Sequence, residues 1–80
     1  MEKCIITFRS VTPAQRAEQL LRRAGVYCGL HRTPRHLAQQ GCGYSLRIQS
    51  HRLQQALHVL QEQQVPYQKV YCGELLEVFP

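Results

Sequence analysis

Eighty residues carrying a formal charge of +5, with a pI near 9.4, leave room for one small domain and exclude a second. The positive balance favours an acidic partner, whether RNA, an acidic protein or a small anion, and charge alone does not choose among them. No apolar run approaches membrane-spanning length. The patch of Ile5, Ile6 and Phe8 is far shorter than a signal-peptide core and is broken by Arg9, so a cytoplasmic chain is expected, its four cysteines kept as thiols.

Over residues 3–9 apolar side chains alternate among β-formers. This predicts a strand with Cys4, Ile6 and Phe8 on its buried face and Lys3, Ile5, Thr7 and Arg9 on the other. Thr12-Pro13-Ala14-Gln15 offers an N-cap, a proline at the first helical position and a capping-box glutamine. The helix that follows repeats Ala17, Leu20, Leu21 and Ala24 on one stripe, and Gly25 is placed to stop it. Residues 26–31 alternate again, with Val26, Cys28 and Leu30 on one face and Tyr27, Gly29 and His31 on the other, before Thr33-Pro34 ends the strand.

A third strand is expected at residues 44–49, with Tyr44, Leu46 and Ile48 inward. Ser50 then caps a helix striped by Leu53, Ala56, Leu57 and Leu60, which Val65-Pro66 stops. The fourth strand is expected at residues 67–72, with Val70 and Cys72 on one face. The tail from Glu74 to Pro80 is apolar for a terminus and either covers a sheet edge or meets a partner. Strand, helix, strand, strand, helix, strand is the α+β ferredoxin-like β-α-β-β-α-β arrangement: a four-stranded antiparallel sheet with two helices on one face, the whole of residues 1–80 forming a single domain. Its topology gathers Arg9, Ser10, Thr12, Arg35 and Cys42 at one rim of the sheet.

Three of the four cysteines, Cys4, Cys28 and Cys72, share strand faces with aliphatic residues and read as small core side chains. Cys42 lies outside both alternating segments, between Gly41 and Gly43, which permit unusual backbone angles and leave the sulfur uncrowded. A free thiol of pKa near 8.5 is only ~3% thiolate at neutral pH, and nearby positive charge is the usual means of raising that fraction. Arg32, Arg35, His31 and His36 precede the cysteine, the positive end of the first helix is expected at the same rim, and amides around Gly41 and Gly43 could form an anion nest.

Thr33-Pro34-Arg35, a hydrophobic residue at Leu37, and Cys42-Gly43 followed by Leu46-Arg47 together resemble the signature of a small bacterial family of selenium/sulfur carrier-like proteins. The resemblance extends through the first strand and the Ala17-Glu18-Leu20-Leu21 helix to about residue 60. It implies a carrier that holds a persulfide or selenopersulfide on Cys42, with Arg35 as the associated basic residue. The implied partners are a cysteine desulfurase-like donor of sulfur or selenium and an acceptor protein. Ala38-Gln39-Gln40-Gly41 stands where serine-rich loops are common in that family, and His36 where an acidic residue is common. Arg9, Ser10, Gly41 and Gly43 complete the expected anion-binding set.

Other readings compete. A basic ferredoxin-like domain could bind nucleic acid, but Cys42 and Ile5 stand where base-stacking aromatics would be needed, so nucleic acid is not the expected partner. A metal site from His31, His36, Cys42 and Cys28 lacks a Cys-x-x-Cys pair and places Cys28 and His31 on opposite faces, so neither metal nor cofactor is expected. A regulatory or assembly module could use the open sheet face of Lys3, Ile5, Thr7, Tyr27, Ser45, Arg47, Lys69 and Tyr71, or the tail, to form a homodimer. With no Ser/His/Asp arrangement and no phosphate loop, a carrier is expected rather than a stand-alone enzyme.

Overall fold

A computed structural model describes residues 3–33, 43–73 and 77–78 of the chain. Strand β1 (Lys3–Phe8) leads into helix α1 (Val11–Arg23), followed by β2 (Cys28–Arg32) and β3 (Tyr44–Gln49). A single 3₁₀ turn (Ser50–Arg52) then opens helix α2 (Leu53–Glu62), and β4 (Val70–Cys72) and β5 (Glu77–Val78) complete the order. The strands form one antiparallel sheet in the order β2-β3-β1-β4-β5. Its first four strands and two helices are the expected α+β ferredoxin-like arrangement. The fifth strand comes from the tail, which covers the β4 edge through the pairs Tyr71 with Val78 and Cys72 with Glu77.

Period-two alternation decides which face meets the helices. Cys4, Ile6, Phe8, Cys28, Leu46 and Ile48 point to one side and form a single core with Ala14, Ala17 and Leu21 of α1 and Leu53, Ala56 and Leu60 of α2. Full burial of side chains such as Phe8, Ile6 and Leu46 contributes about 1.5–3 kcal/mol each in transfer free energy. The second face is less bare than its sequence suggests, since Ile5, Thr7, Ser45 and Tyr71 are buried there. Register accounts for Ile5, which lies between two long side chains, Arg47 on β3 and Tyr71 on β4.

Several boundaries depart from the pattern-based expectation, each for a local reason. Helix α1 begins at Val11 with Ser10 as its extended N-cap residue, so Pro13 is the third helical position rather than the first. Proline is tolerated there because amides in the first turn have no intrahelical partner. Ser50 starts a 3₁₀ turn instead of capping α2, and β2 begins at Cys28 rather than Val26, because Val26 is still bonded to the end of α1. Fourth-strand pairing begins in earnest at Val70, since Gln68 and Lys69 together oppose the single Thr7 in a β-bulge. Gln68 N donates to Thr7 O and Thr7 N to Lys69 O, both at 2.8 Å. The Thr7 hydroxyl takes up the amide displaced by the bulge, accepting from Lys69 N at 3.0 Å and donating to Lys69 O at 3.2 Å, which explains a buried threonine on this face.

Both helices end with the same pair of bonds. At α1, Gly25 takes φ +82°; its amide donates to Arg22 O at 3.1 Å and that of Val26 to Leu21 O at 2.8 Å. From across the helix layer, Arg52 donates to Gly25 O at 2.7 Å, and Gln55 to Ala24 O at 3.3 Å. At α2 the left-handed position is filled by Gln64 at φ 56°, with Val65 N donating to Leu60 O at 2.9 Å. A side chain in this region costs about 1–2 kcal/mol that glycine avoids, partly offset by glycine's greater freedom when unfolded. Gln64→Gly is therefore expected to stabilise the protein by about 0.5–1 kcal/mol. A higher urea midpoint would show it; an unchanged or lower midpoint would mean that this residue carries no strain.

At the outer side of β2, the Arg22 guanidinium donates to Cys28 O at 3.3 Å while also meeting Glu18 at 3.5 Å.

Candidate functional site

The rim expected to carry the function lies where β1 ends. Phe8 pairs with Tyr44 and Tyr44 with Arg32, so the ends of β1 and β2 and the start of β3 converge there. Thr33 N donates to Gly43 O at 3.0 Å, clamping together the two ends of the segment 34–42. Gly43 sits against the β1 terminus: a Cβ on it would lie 3.2 Å from Phe8 O and 3.4 Å from Thr33 Oγ1, so the close approach of backbone explains the glycine. Among the described residues, Thr33 Oγ1 is a buried side-chain oxygen with no hydrogen-bond partner. A buried hydroxyl without a partner costs about 1–3 kcal/mol, so this one marks the spot beside Gly43 as polar.

Arg9 and Ser10 follow Phe8 directly and both are exposed, as is Arg32. Helix α1 starts at the same rim with no acidic residue in its first turn, so its positive end is uncompensated there. The structure thus brings Gly43 to the end of β1, beside the chain segment of Arg9 and Ser10. Cys42, Arg35 and Gly41 lie outside the described residues, as do His36 and the departures at residues 38–41. Thr33, named in the sequence only as part of a motif, is the rim residue that pattern reading undervalued, since a lone strand-end threonine gives no period to detect.

The cysteines require a correction. Cys4 and Cys72, expected as separate core thiols, are joined by a disulfide, with Cα atoms 4.2 Å apart. They are direct register partners on adjacent strands and both point to the helix face. The expected fold already made the first and fourth strands candidates for neighbours and put both cysteines on inward faces; that combination was the available signal. Cys28 is the free cysteine among the described residues, and it is buried as expected. Burial pushes its thiol up from the ordinary value of 9.0, the Glu18 charge adds to this, and the Arg22 charge and hydrogen bond oppose it. Its sulfur faces Glu18 O at 3.9 Å. This is a packed, inert thiol, unsuited to nucleophilic work.

Cys28 points to the helix layer and His31 to the opposite face, so the two cannot share a small ligand sphere. Among the described residues no group of three His, Cys, Asp or Glu side chains is gathered as a metal site. No helix among them is long and apolar enough to cross a membrane.

With its fold and the rim at Gly43 described, the chain can be placed by sequence: it matches, over residues 3–72, the family described as "Putative Se/S carrier protein-like", and it belongs to that family. The match continues past the second helix to Cys72, further than the motif resemblance reached. No curated protein and no solved structure matches the chain.

Proposed function

We propose that this protein is a carrier which holds one sulfur or selenium atom on Cys42, as a persulfide or selenopersulfide, and passes it to an acceptor protein. The observation that carries the reading is the family match across residues 3–72, a span that includes the Cys42-Gly43 pair. The fold supports it by clamping the two ends of the Cys42 segment at the rim where α1 presents its positive end. In the reaction proposed, the Cys42 thiolate attacks the outer sulfur of a donor persulfide. A new sulfur–sulfur bond forms on Cys42, the donor's bond breaks, and the donor leaves as its thiolate. Arg35, Arg9, Ser10 and the amides of Gly41 and Gly43 are the groups proposed to stabilise the anionic cargo.

The donor in this reading is a cysteine desulfurase-like protein, the chain 1–80 works as a single domain, and the setting is the cytoplasm, where the Cys4–Cys72 bond has to withstand a reducing environment. No deep pocket is needed, because the cargo is one atom held covalently. Intact mass spectrometry after incubation with a persulfide donor is expected to show a reducible addition of one sulfur on the wild type and none on Cys42→Ser. Arg35→Ala should load more slowly at neutral pH, with the difference shrinking as pH rises and the thiol ionises unaided. Equal loading of the wild type and Cys42→Ser would remove this cysteine from the chemistry.

A further inference from the structure

The sheet face turned away from the helices holds a groove of about 390 Å³ that the carrier chemistry does not use. Lys3, Tyr27, Gly29, His31 and Arg47 line it. They come from β1, β3, the edge strand β2 and, for Tyr27, the residue just before it, with Arg47 directly opposite Gly29 on one side and Ile5 on the other. Lys3, His31 and Arg47 are all exposed, and among the described residues no carboxylate lines the groove. The ion pairs among the described residues, Glu18 with Arg22 and His58 with Glu62, are both within helices on the other layer. Uncompensated positive charge in a concavity raises the local concentration of anions.

Two further features narrow the ligand. Tyr27 is 84% exposed, the one large hydrophobic side chain left in solvent among the described residues, and it stands at the groove's edge. Its ring offers a flat apolar surface with a polar tip. Gly29 forms part of the floor: a Cβ there would lie 3.1 Å from His31 Nε2, so the missing side chain is what lets the imidazole lie across the strand. The volume falls within the ordinary range for small-molecule sites, about 300–1,000 Å³.

From this we infer that the groove binds a nucleotide-sized phosphorylated ligand, its phosphate held between Lys3 and Arg47 and its planar base resting on Tyr27. A second copy of the chain is the wrong occupant, because the same cations would face each other across the contact. A long single strand of nucleic acid is also disfavoured. The central positions of β1 and β3 hold Ile5 and Ser45, both buried and neither a stacking surface, and Tyr71 beside Ile5 is buried too, which among the described residues leaves one exposed ring for one base.

The test is to titrate the full chain with adenosine monophosphate, with inorganic phosphate and with a short single-stranded oligonucleotide, following amide shifts of Gly29 and Arg47 by NMR. The monophosphate is expected to bind about tenfold more tightly than phosphate, the gain from one stacked base. Tyr27→Ala should bring it down to the phosphate level while leaving phosphate binding unchanged. Arg47→Gln should weaken both, with the dispersed spectrum of the folded protein retained. Three outcomes would overturn the inference: no saturable binding of the monophosphate, an affinity indifferent to Tyr27→Ala, or oligonucleotide binding that strengthens with length. Cys42→Ser should leave monophosphate binding intact, so a failure of the carrier reading and a failure of this one are separable.

Discussion

Reducing the Cys4–Cys72 bond is expected to lower the free energy of unfolding by about 4 kcal/mol, the loop-closure entropy for a link of this span. The bond ties residues 68 apart in sequence, nearly the two ends of the chain. Small domains have only about 5–15 kcal/mol in all, so this is a large share. The loss should fall first on β4, which meets β1 through just three register pairs and carries β5 on its outer side. Urea unfolding followed by circular dichroism, with and without a phosphine reductant, measures the difference. Cys72→Ala should match the reduced wild type and no longer respond to reductant. Coincident curves for oxidised and reduced wild type would show that the bond holds nothing together.

The second large effect concerns Cys28. Alkylation of this thiol by iodoacetamide at pH 7 should be slower in the native protein than in the denatured one by more than about 100-fold, since reaction requires both opening and ionisation. Because burial raises its pKa above 9.0, the folded state keeps the proton that the unfolded state releases above that value. Protein stability is therefore fully supported by this group below about pH 9 and falls as pH rises beyond it. A Cys28→Ala variant should lose that part of the alkaline decline. Rapid native labelling at Cys28, located by peptide mapping, would contradict a sealed sulfur.

Much of the architecture was written in local pattern. Period-two alternation placed Cys4, Ile6, Phe8, Leu46 and Ile48 on the buried face, and Gly25 marked the end of α1, because burial and positive φ each leave a direct residue signature. What pattern could not express was pairing between distant strands. The bulge at Gln68 and Lys69, the disulfide of Cys4 with Cys72 and the burial of Ile5 and Thr7 all depend on which strand lies beside β1 and in what register. Gln64 gave no signal for a related reason: a glutamine carries no hint of a left-handed backbone, and Val65-Pro66 just beyond it was the stop signal legible in the sequence. At the site, sequence located the Cys42 segment between two strands, and the structure added the clamp of Thr33 on Gly43 and the lone hydroxyl beside it. The placements of Cys42, Arg35 and Gly41 fall outside the described residues and rest on the family and the chemistry.

The sheet is finished differently at its two borders, and this bears on how the protein behaves when concentrated. β5 seals one border, while β2 forms the other and, among the described residues, has no strand beyond it. A bare border is a template on which another chain can lay a strand and begin a fibril. Here Arg22 reaches round from α1 to occupy Cys28 O, and Arg32 sets a permanent charge at the far end of the same strand. A second copy docking border to border would have to displace the first and bury the charge of the second at the contact. The same arginines that give the chain its basic character thus keep its open border from becoming a seed for assembly into cross-β aggregates.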